Sequence, residues 1–215
     1  MSLRQQRAMP MRCGSEVRSN PVNHLRSVLF ALMLYAAGAA GADDSGKFAM
    51  KGAGFLPCEV FVTEREKRSN VYYLIGGWIE GYITAYNKHV ADTYDVTPFE
   101  SLELLLLVMQ NHCEANPRDR LYSVLNALLI KLSPDRLQQD SDRIKITEGK
   151  RTAVLYSDTI RRMQEELTRR GLYKGAVDGR FTDETRSALI AFQSDIGFEA
   201  TGFPDQTTLW RLLRK

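Results

Sequence analysis

Few side chains in this sequence could bind a metal ion or act as a nucleophile. After residue 42 the candidates are two histidines and two cysteines, namely His89, His112, Cys58 and Cys113. A zinc site takes three or four ligands, and the two histidines do not have a paired-ligand spacing. The sequence therefore predicts no metal site and no other cofactor.

Two kinds of catalysis could still use residues of this chain. A cysteine enzyme pairs a free thiolate with a histidine, and His112 is directly followed by Cys113. A lysozyme-like enzyme needs a buried glutamate of raised pKa in a cleft, and Glu80 and Glu103 lie within apolar runs. The segment that holds them is small for such a cleft, and Cys113 is better used in a disulfide. We therefore expect no catalytic residues and a protein that is not an enzyme.

The first 42 residues predict a secretory signal peptide. Arginines precede an apolar run over residues 28–37, and Ala40-Gly41-Ala42 follows it. This order fits cleavage after Ala42. The apolar run is short for a bilayer span, so we expect no membrane association after cleavage, although an uncleaved anchor is the alternative.

The basic charge of the chain lies mainly in this leader. It has five arginines and one acidic residue, so the chain's 29 basic and 26 acidic residues fall to 24 and 25 after residue 42. The charge balance therefore gives no indication of nucleic-acid binding.

Export would place Cys58 and Cys113 in an oxidising compartment, the periplasm. An even number of cysteines in such a compartment predicts a disulfide. Closing a loop between positions 58 and 113 would stabilise the fold by about 4 kcal/mol.

Apolar periodicity divides the rest of the chain into two helical domains. Residues 52–138 predict a small helical domain, residues 139–154 a polar linker, and residues 155–215 a bundle of three short helices. We therefore predict an all-α fold, with a disulfide-tied helical domain followed by a three-helix bundle.

Start signals place the helices of the first domain. Asn70 could cap a helix that ends near Asn87, and its small residues Gly77, Gly81 and Ala85 would face another helix closely. The sequence Thr97-Pro98-Phe99-Glu100 predicts a capping box that opens a central helix. Asn116-Pro117 repeats that start signal for the next helix.

The second domain has clearer boundaries. Ser157 or Asp158 and then Thr182 predict helix starts, and Gly171 and Gly197 predict helix ends. A third helix follows from Pro204.

Sequence elements in a fixed order run through residues 155–215. They include Met163-Gln164, Gly171-Leu172-Tyr173, Val177-Asp178-Gly179-Arg180-Phe181, Ala188-Leu189, Phe192-Gln193, Thr201-Gly202 and Thr208-Leu209. On these elements the second domain resembles the peptidoglycan-binding-like domain, except that Thr182 stands where that family usually has glycine. The resemblance implies a cell-wall-targeting module with peptidoglycan as its partner.

Four residues of this domain are candidates for contact with peptidoglycan: Tyr173, Asp178, Arg180 and Gln193. They have polar or aromatic reach, whereas the glycines are explained by turns. The wall peptide offers carboxylates and amides, and an exposed arginine can bind a carboxylate with two hydrogen bonds.

The first domain carries a second pattern. It consists of Cys58, Gly77-Trp78-Ile79-Glu80-Gly81-Tyr82-Ile83, Cys113 and Asn116-Pro117. This pattern resembles the small helical immunity proteins that neutralise type VI secretion amidase effectors, whose fold is related to that of periplasmic acid-stress chaperones. The resemblance implies a disulfide-tied domain that binds proteins, with Glu80, Tyr86 and Asn87 as candidate contacts.

These expectations describe an exported, non-catalytic peptidoglycan-binding protein with a helical protein-binding domain. One alternative is a wall-tethered immunity protein or inhibitor of a peptidoglycan amidase. The other is a cell-wall enzyme of unrecognised type.

Overall fold

The structure is a computed structural model that describes Asp43 and residues 45–214. The predicted signal peptide lies outside the described residues. The chain divides into two compact units, residues 1–49 and residues 50–215. In the first unit, the Asp43 carboxylate accepts hydrogen bonds from the backbone N–H groups of Ser45 and Lys47.

Seven α-helices and one β-hairpin form the regular structure of the described part of the second unit. The helices are α1 (Cys58–Glu66), α2 (Asn70–His89), α3 (Leu102–Ala115), α4 (Leu121–Leu132), α5 (Ser157–Arg169), α6 (Asp183–Asp195) and α7 (Gln206–Leu213). Strands β1 (Arg143–Glu148) and β2 (Arg151–Tyr156) pair antiparallel between α4 and α5. Short 3-10 turns occupy Gly52–Phe55 and Ser133–Asp135. The predicted helical fold is confirmed, with the hairpin as an addition.

Helices α1–α4 enclose the first hydrophobic core, and we call them the α1–α4 bundle. Phe61, Ile75, Leu105 and Leu125 are almost fully buried at its centre. The Cys58–Cys113 disulfide joins the start of α1 to α3, with the two Cα atoms 4.8 Å apart. The predicted disulfide is thus confirmed.

The small-residue face of α2 does not pack as predicted. A Cβ atom on Gly77 or Gly81 would meet no atom of the described residues within 4 Å. The close approach occurs one position earlier, at Gly76, where a Cβ would lie 3.2 Å from Leu102 Cδ2. Tyr73 and Leu74 beside this face are 62% and 69% exposed.

The predicted capping box at residues 97–100 does not form. Helix α3 begins at Leu102, and the Ser101 hydroxyl accepts the cap hydrogen bond from Leu104 N. Glu100 is not free to cap because its carboxylate contacts Arg214, which lies 114 positions further along the chain. A distant ion pair therefore overrides the local start signal.

Two other helix starts in the α1–α4 bundle are shifted. Ser69 rather than Asn70 caps α2, and α4 begins at Leu121 instead of at Asn116-Pro117. The intervening loop caps the N-terminus of α1, since the carbonyls of Pro117 and Asp119 accept hydrogen bonds from the first N–H groups of that helix.

Residues 143–156 form a hairpin where the polar composition predicted a linker. Its apolar side chains Ile146 and Leu155 are buried in the second hydrophobic core, and Gly149 takes a φ of +57° in its turn. The strand alternation is short and is surrounded by charged residues, so composition alone concealed it.

Helices α5–α7 enclose the second core, and we call them the α5–α7 bundle. Ile160, Met163, Leu189, Phe192 and Leu209 are fully buried there. Phe99 from the loop before α3 also joins this core. The two bundles therefore share side chains across their boundary.

Residues of α7 and its flank hold the two bundles together. Gln206 donates from Nε2 to the Phe99 carbonyl and accepts at Oε1 from Ser101 N, both at 2.7 Å. The side chain of Arg214 is 6% exposed and that of Glu100 is 0% exposed, and they form an ion pair. The Arg214 guanidinium also lies 4.9 Å from the centre of the Phe99 ring. A buried charge of this kind is tolerated only when it is paired.

Candidate functional site

The loop between α5 and α6 is held by one buried amide side chain. Gln164, which has no exposed surface, accepts at Oε1 from the N–H groups of Asp178 and Gly179, at 3.1 and 2.9 Å. Its Nε2 donates to the Arg180 carbonyl at 2.9 Å and to Thr185 Oγ1 at 3.2 Å. The amide thus forms hydrogen bonds with the backbone groups of the turn from inside the bundle, and these bonds fix the backbone of the predicted binding loop.

A second buried amide repeats this arrangement before α7. Gln193 Oε1 accepts from Gly202 N at 2.7 Å. Its Nε2 donates to the Phe203 carbonyl and to Thr208 Oγ1, each at 3.1 Å. We call the two arrangements the glutamine clamps.

The two clamps share a spacing that is visible in the sequence. In each clamp, a glycine of positive φ lies three positions before the helix cap and six positions before a buried threonine. The first set is Gly179, Thr182 and Thr185, and the second is Gly202, Asp205 and Thr208. Each cap side chain accepts a hydrogen bond from the N–H of its threonine. This repeat was the available signal that Gln164 and Gln193 have related roles.

An open groove runs beside the N-terminus of α6, and we call it the α6 groove. Its volume is about 530 Å³, and its lining is Leu172, Tyr173, Lys174, Gly175, Asp183, Glu184, Ser187 and Ala188. Gly175 keeps the groove open, because a Cβ there would lie 2.6 Å from both Glu184 Oε2 and the Tyr173 hydroxyl.

The charges of the α6 groove are available for a ligand. Lys174, Asp183 and Glu184 are exposed, and none of them forms an ion pair with another described residue. The groove therefore offers one ammonium group and two carboxylates beside a helix N-terminus, whose free N–H groups favour anions.

Two of the four predicted wall contacts are exposed on the neighbouring turn. The Arg180 side chain is 81% exposed and that of Asp178 is 41% exposed. Asp178 Oδ1 accepts from Arg180 N at 2.9 Å, and this bond lowers the pKa of Asp178. The guanidinium remains accessible because the side chain is exposed and its only ion-pair contact with a described residue is a long one, with Nε 4.0 Å from the Asp178 carboxylate.

The other two predicted contacts lie inside the bundle. Tyr173 is 4% exposed, and its hydroxyl donates to the Ala176 carbonyl at 2.7 Å. Gln193 is fully buried, with both amide atoms used in its clamp. These positions favour a structural role for both residues.

The predicted protein contacts on α2 also differ from one another. Glu80 is exposed, whereas Tyr86 is half-buried against the first core. Asn87 Oδ1 accepts from Val96 N at 2.9 Å and so fixes the loop after α2. The structure brings Glu80 alone of the three fully to the surface.

Three of the residues considered for catalysis are committed to other contacts, whereas Glu80 is exposed. Cys113 is in the disulfide. His112 Nε2 lies 2.8 Å from Asp119 Oδ2. Arg65 Nη2 donates to the Glu103 carboxylate at 2.7 Å, and this bond lowers the pKa of Glu103. Within the described residues, no three His, Cys, Asp or Glu side chains are arranged to hold a metal ion.

Comparison with known proteins decides the character of the α5–α7 bundle. Residues 156–212 match the family described as "Putative peptidoglycan binding domain". This part of the chain is a peptidoglycan-binding-like segment. The matched residues include α5, α6, nearly all of α7, both glutamine clamps and the α6 groove. The resemblance of the α1–α4 bundle to immunity proteins stays a prediction.

Two individual proteins show partial similarity. The N-acetylmuramoyl-L-alanine amidase CwlM of Mycobacterium tuberculosis is 39% identical over 57 residues, which are 26% of this chain and 14% of that protein. The crystal structure of SltB3 from Pseudomonas aeruginosa, in complex with NAG-anhNAM-pentapeptide, aligns at 24% identity and a TM-score of 0.27. That alignment covers 50% of this chain and 26% of SltB3. The chain thus matches only a small part of each protein's length.

The glycine of the first clamp is expected to be more sensitive to substitution than another glycine of the same conformation. Gly179 and Gly171 have φ values of +78° and +75°. A Cβ on Gly179 would lie 2.6 Å from the Ser157 carbonyl oxygen, whereas one on Gly171 would meet no described atom within 4 Å. We expect Gly171→Ala to lower the free energy of unfolding by about 1 kcal/mol, and Gly179→Ala by about 3 kcal/mol.

Urea denaturation followed by circular dichroism measures both changes. Equal losses for the two variants would show that the contact with Ser157 relaxes without cost.

Proposed function

We propose that this chain is exported to the periplasm and binds peptidoglycan without cleaving it. The observation that carries the proposal is the peptidoglycan-binding-like segment, with its α6 groove of unpaired charges. Peptidoglycan stem peptides carry carboxylates, amides and free amines. Lys174 can pair with such a carboxylate, and Asp183 and Glu184 can pair with an amine.

Two contacts support a non-catalytic role. The disulfide removes Cys113 as a thiolate nucleophile, which a cysteine enzyme requires. The hydrogen bond from Arg65 favours the ionised form of Glu103, whereas a general acid must keep its proton near neutral pH.

The disulfide also supports export, because disulfides persist in oxidising compartments. Together with the peptidoglycan-binding-like segment, it is consistent with an extracytoplasmic location. No helix among the described residues is long and apolar enough to cross a bilayer. Cleavage after Ala42 would deliver the chain to the wall.

One observation favours a second candidate function, inhibition of a peptidoglycan amidase by the wall-bound chain. The exposed face of α2 presents Tyr73, Leu74 and Glu80 beside two open glycines. The fully buried centre of a protein interface is more apolar than the rest of the surface and is enriched in aromatic residues. If this function holds, the full chain slows muropeptide release by a purified amidase and Leu74→Glu abolishes the effect; an unchanged rate with the full chain excludes it.

Co-sedimentation with purified sacculi tests the proposed function. We expect the full chain to sediment, and Arg180→Ala to weaken its affinity ten- to a hundredfold, because a charge-assisted hydrogen bond to a carboxylate is lost. Glu184→Gln tests the α6 groove in the same assay. Lys67→Ala is the matched control, since Lys67 is an exposed cation directly after α1.

The outcomes separate the residues from the function. Sedimentation of Arg180→Ala and Glu184→Gln at the wild-type level would remove these two residues from the site. A wild-type chain that stays in the supernatant would contradict peptidoglycan binding itself.

A further inference from the structure

A second, larger cleft lies where the two bundles meet, and we call it the shared cleft. Its volume is about 580 Å³, within the range of small-ligand sites. One wall comes from the end of α4 and the turn after it, with Lys131, Pro134 and Asp135. The other comes from α5 and α7, with Arg162, Glu165, Arg169, Trp210 and Leu213. Neither bundle alone contains this cleft.

The inner charges of the shared cleft hold its walls in place. Arg214 Nη1 donates to Asp135 Oδ2 at 2.9 Å, from the opposite wall. Arg162 donates to the Asp135 carbonyl at 2.7 Å and approaches its carboxylate at 3.0 Å. These bonds link the turn after α4 to α5 and to the residue that follows α7, so the cleft is formed before any ligand arrives. Preorganisation of this kind lowers the entropy lost on binding.

The rim charges, by contrast, are uncommitted. Lys131 and Glu165 are exposed on opposite walls, and neither forms an ion pair or side-chain hydrogen bond with a described residue. In the same lining, Trp210 and Leu213 supply apolar surface. A complementary ligand therefore carries a carboxylate, an ammonium group and small apolar groups.

We propose that the shared cleft binds a short peptide that carries both a carboxylate and a free amine, the class to which peptidoglycan stem peptides belong. The peptide carboxylate pairs with Lys131 and its amine with Glu165, while its alanine methyl groups contact Trp210. This inference rests on the proposed function and adds a second stem-peptide site, shared with the α1–α4 bundle, to the α6 groove.

Calorimetric titration of the full chain with the free tetrapeptide L-Ala-γ-D-Glu-meso-diaminopimelate-D-Ala tests the inference. We expect Lys131→Ala and Glu165→Gln each to weaken binding about tenfold, because each loses one charged contact. Lys131→Arg is expected to retain binding, because it keeps the charge. Lys67→Ala, at an exposed lysine just after α1, is the matched control and is expected to bind the tetrapeptide as the wild type does, whereas Lys174→Ala tests the α6 groove.

Sacculus sedimentation run in parallel separates failure of the inference from failure of the function. A chain that sediments with sacculi but does not bind the tetrapeptide overturns the cleft assignment and leaves the proposed function standing. Tetrapeptide binding that is lost in Lys174→Ala and kept in Lys131→Ala and Glu165→Gln does the same. A chain that binds neither sacculi nor tetrapeptide overturns both. Circular dichroism of each variant verifies that the fold is retained.

Discussion

Glu100→Ala is expected to lower the free energy of unfolding by about 3–5 kcal/mol, because removal of one partner of a buried ion pair leaves the other charge uncompensated. Arg214 would keep its contact with Asp135 but would lose the carboxylate nearest to its buried guanidinium. Burial raises the pKa of Glu100, and the adjacent Arg214 guanidinium opposes that shift. Urea denaturation measures the loss.

Two further variants make this result interpretable. Glu199→Ala is the matched control, since Glu199 is exposed, and its effect is expected to stay within about 0.5 kcal/mol. The double variant Glu100→Met, Arg214→Met is expected to recover much of the stability, because apolar side chains of similar size can replace a buried ion pair. Unfolding of Glu100→Ala at the wild-type urea concentration would show that the junction between the bundles adds little to stability.

Loss of the disulfide is expected to have an effect of similar size. The bond joins residues separated by 55 positions. Without this crosslink the unfolded chain gains conformational entropy, which lowers the free energy of unfolding by about 4 kcal/mol. We expect the variant Cys58→Ala, Cys113→Ala to lose this amount in urea denaturation. The wild type treated with a reductant should approach the same value.

The reductant also provides the control for this prediction. It should leave the denaturation curve of the double-alanine variant unchanged, because that variant lacks both cysteines. A wild-type curve that is insensitive to reductant, in protein whose thiols titrate as free after treatment, would contradict the expected contribution of the crosslink.

Local signals were sufficient to predict the three helices of the α5–α7 bundle, although Tyr156 rather than Ser157 or Asp158 is the cap residue of α5. Thr182 caps α6 as expected, and Gly171 and Gly197 end their helices with φ values of +75° and +73°. Each of these features depends on residues within a few positions of the helix end. The peptidoglycan-binding-like elements lie in the same part of the chain, so the segment that matches this family could be located from the sequence.

Features that depend on distant partners could not be predicted in this way. The start of α3 depends on an ion pair between Glu100 and Arg214, and the hairpin depends on burial of Ile146 and Leu155 under helices that follow it. The polar character of Gln193 suggested a ligand contact, whereas the fold uses that amide to hold the turn at Gly202. Periodicity and composition carry no information about contacts between residues far apart in the sequence, so the shared cleft could not be predicted from them either.

The junction built by Phe99, Gln206 and Arg214 has a consequence for how the protein is displayed. If a flexible linker joined a wall-binding domain to a second domain, the second domain could adopt many orientations relative to the peptidoglycan layer. Here the hairpin and the junction connect the two bundles within one compact unit. If the α5–α7 bundle binds peptidoglycan as proposed, the exposed face of α2 keeps a fixed orientation relative to that bundle, and a partner can reach it only from that side.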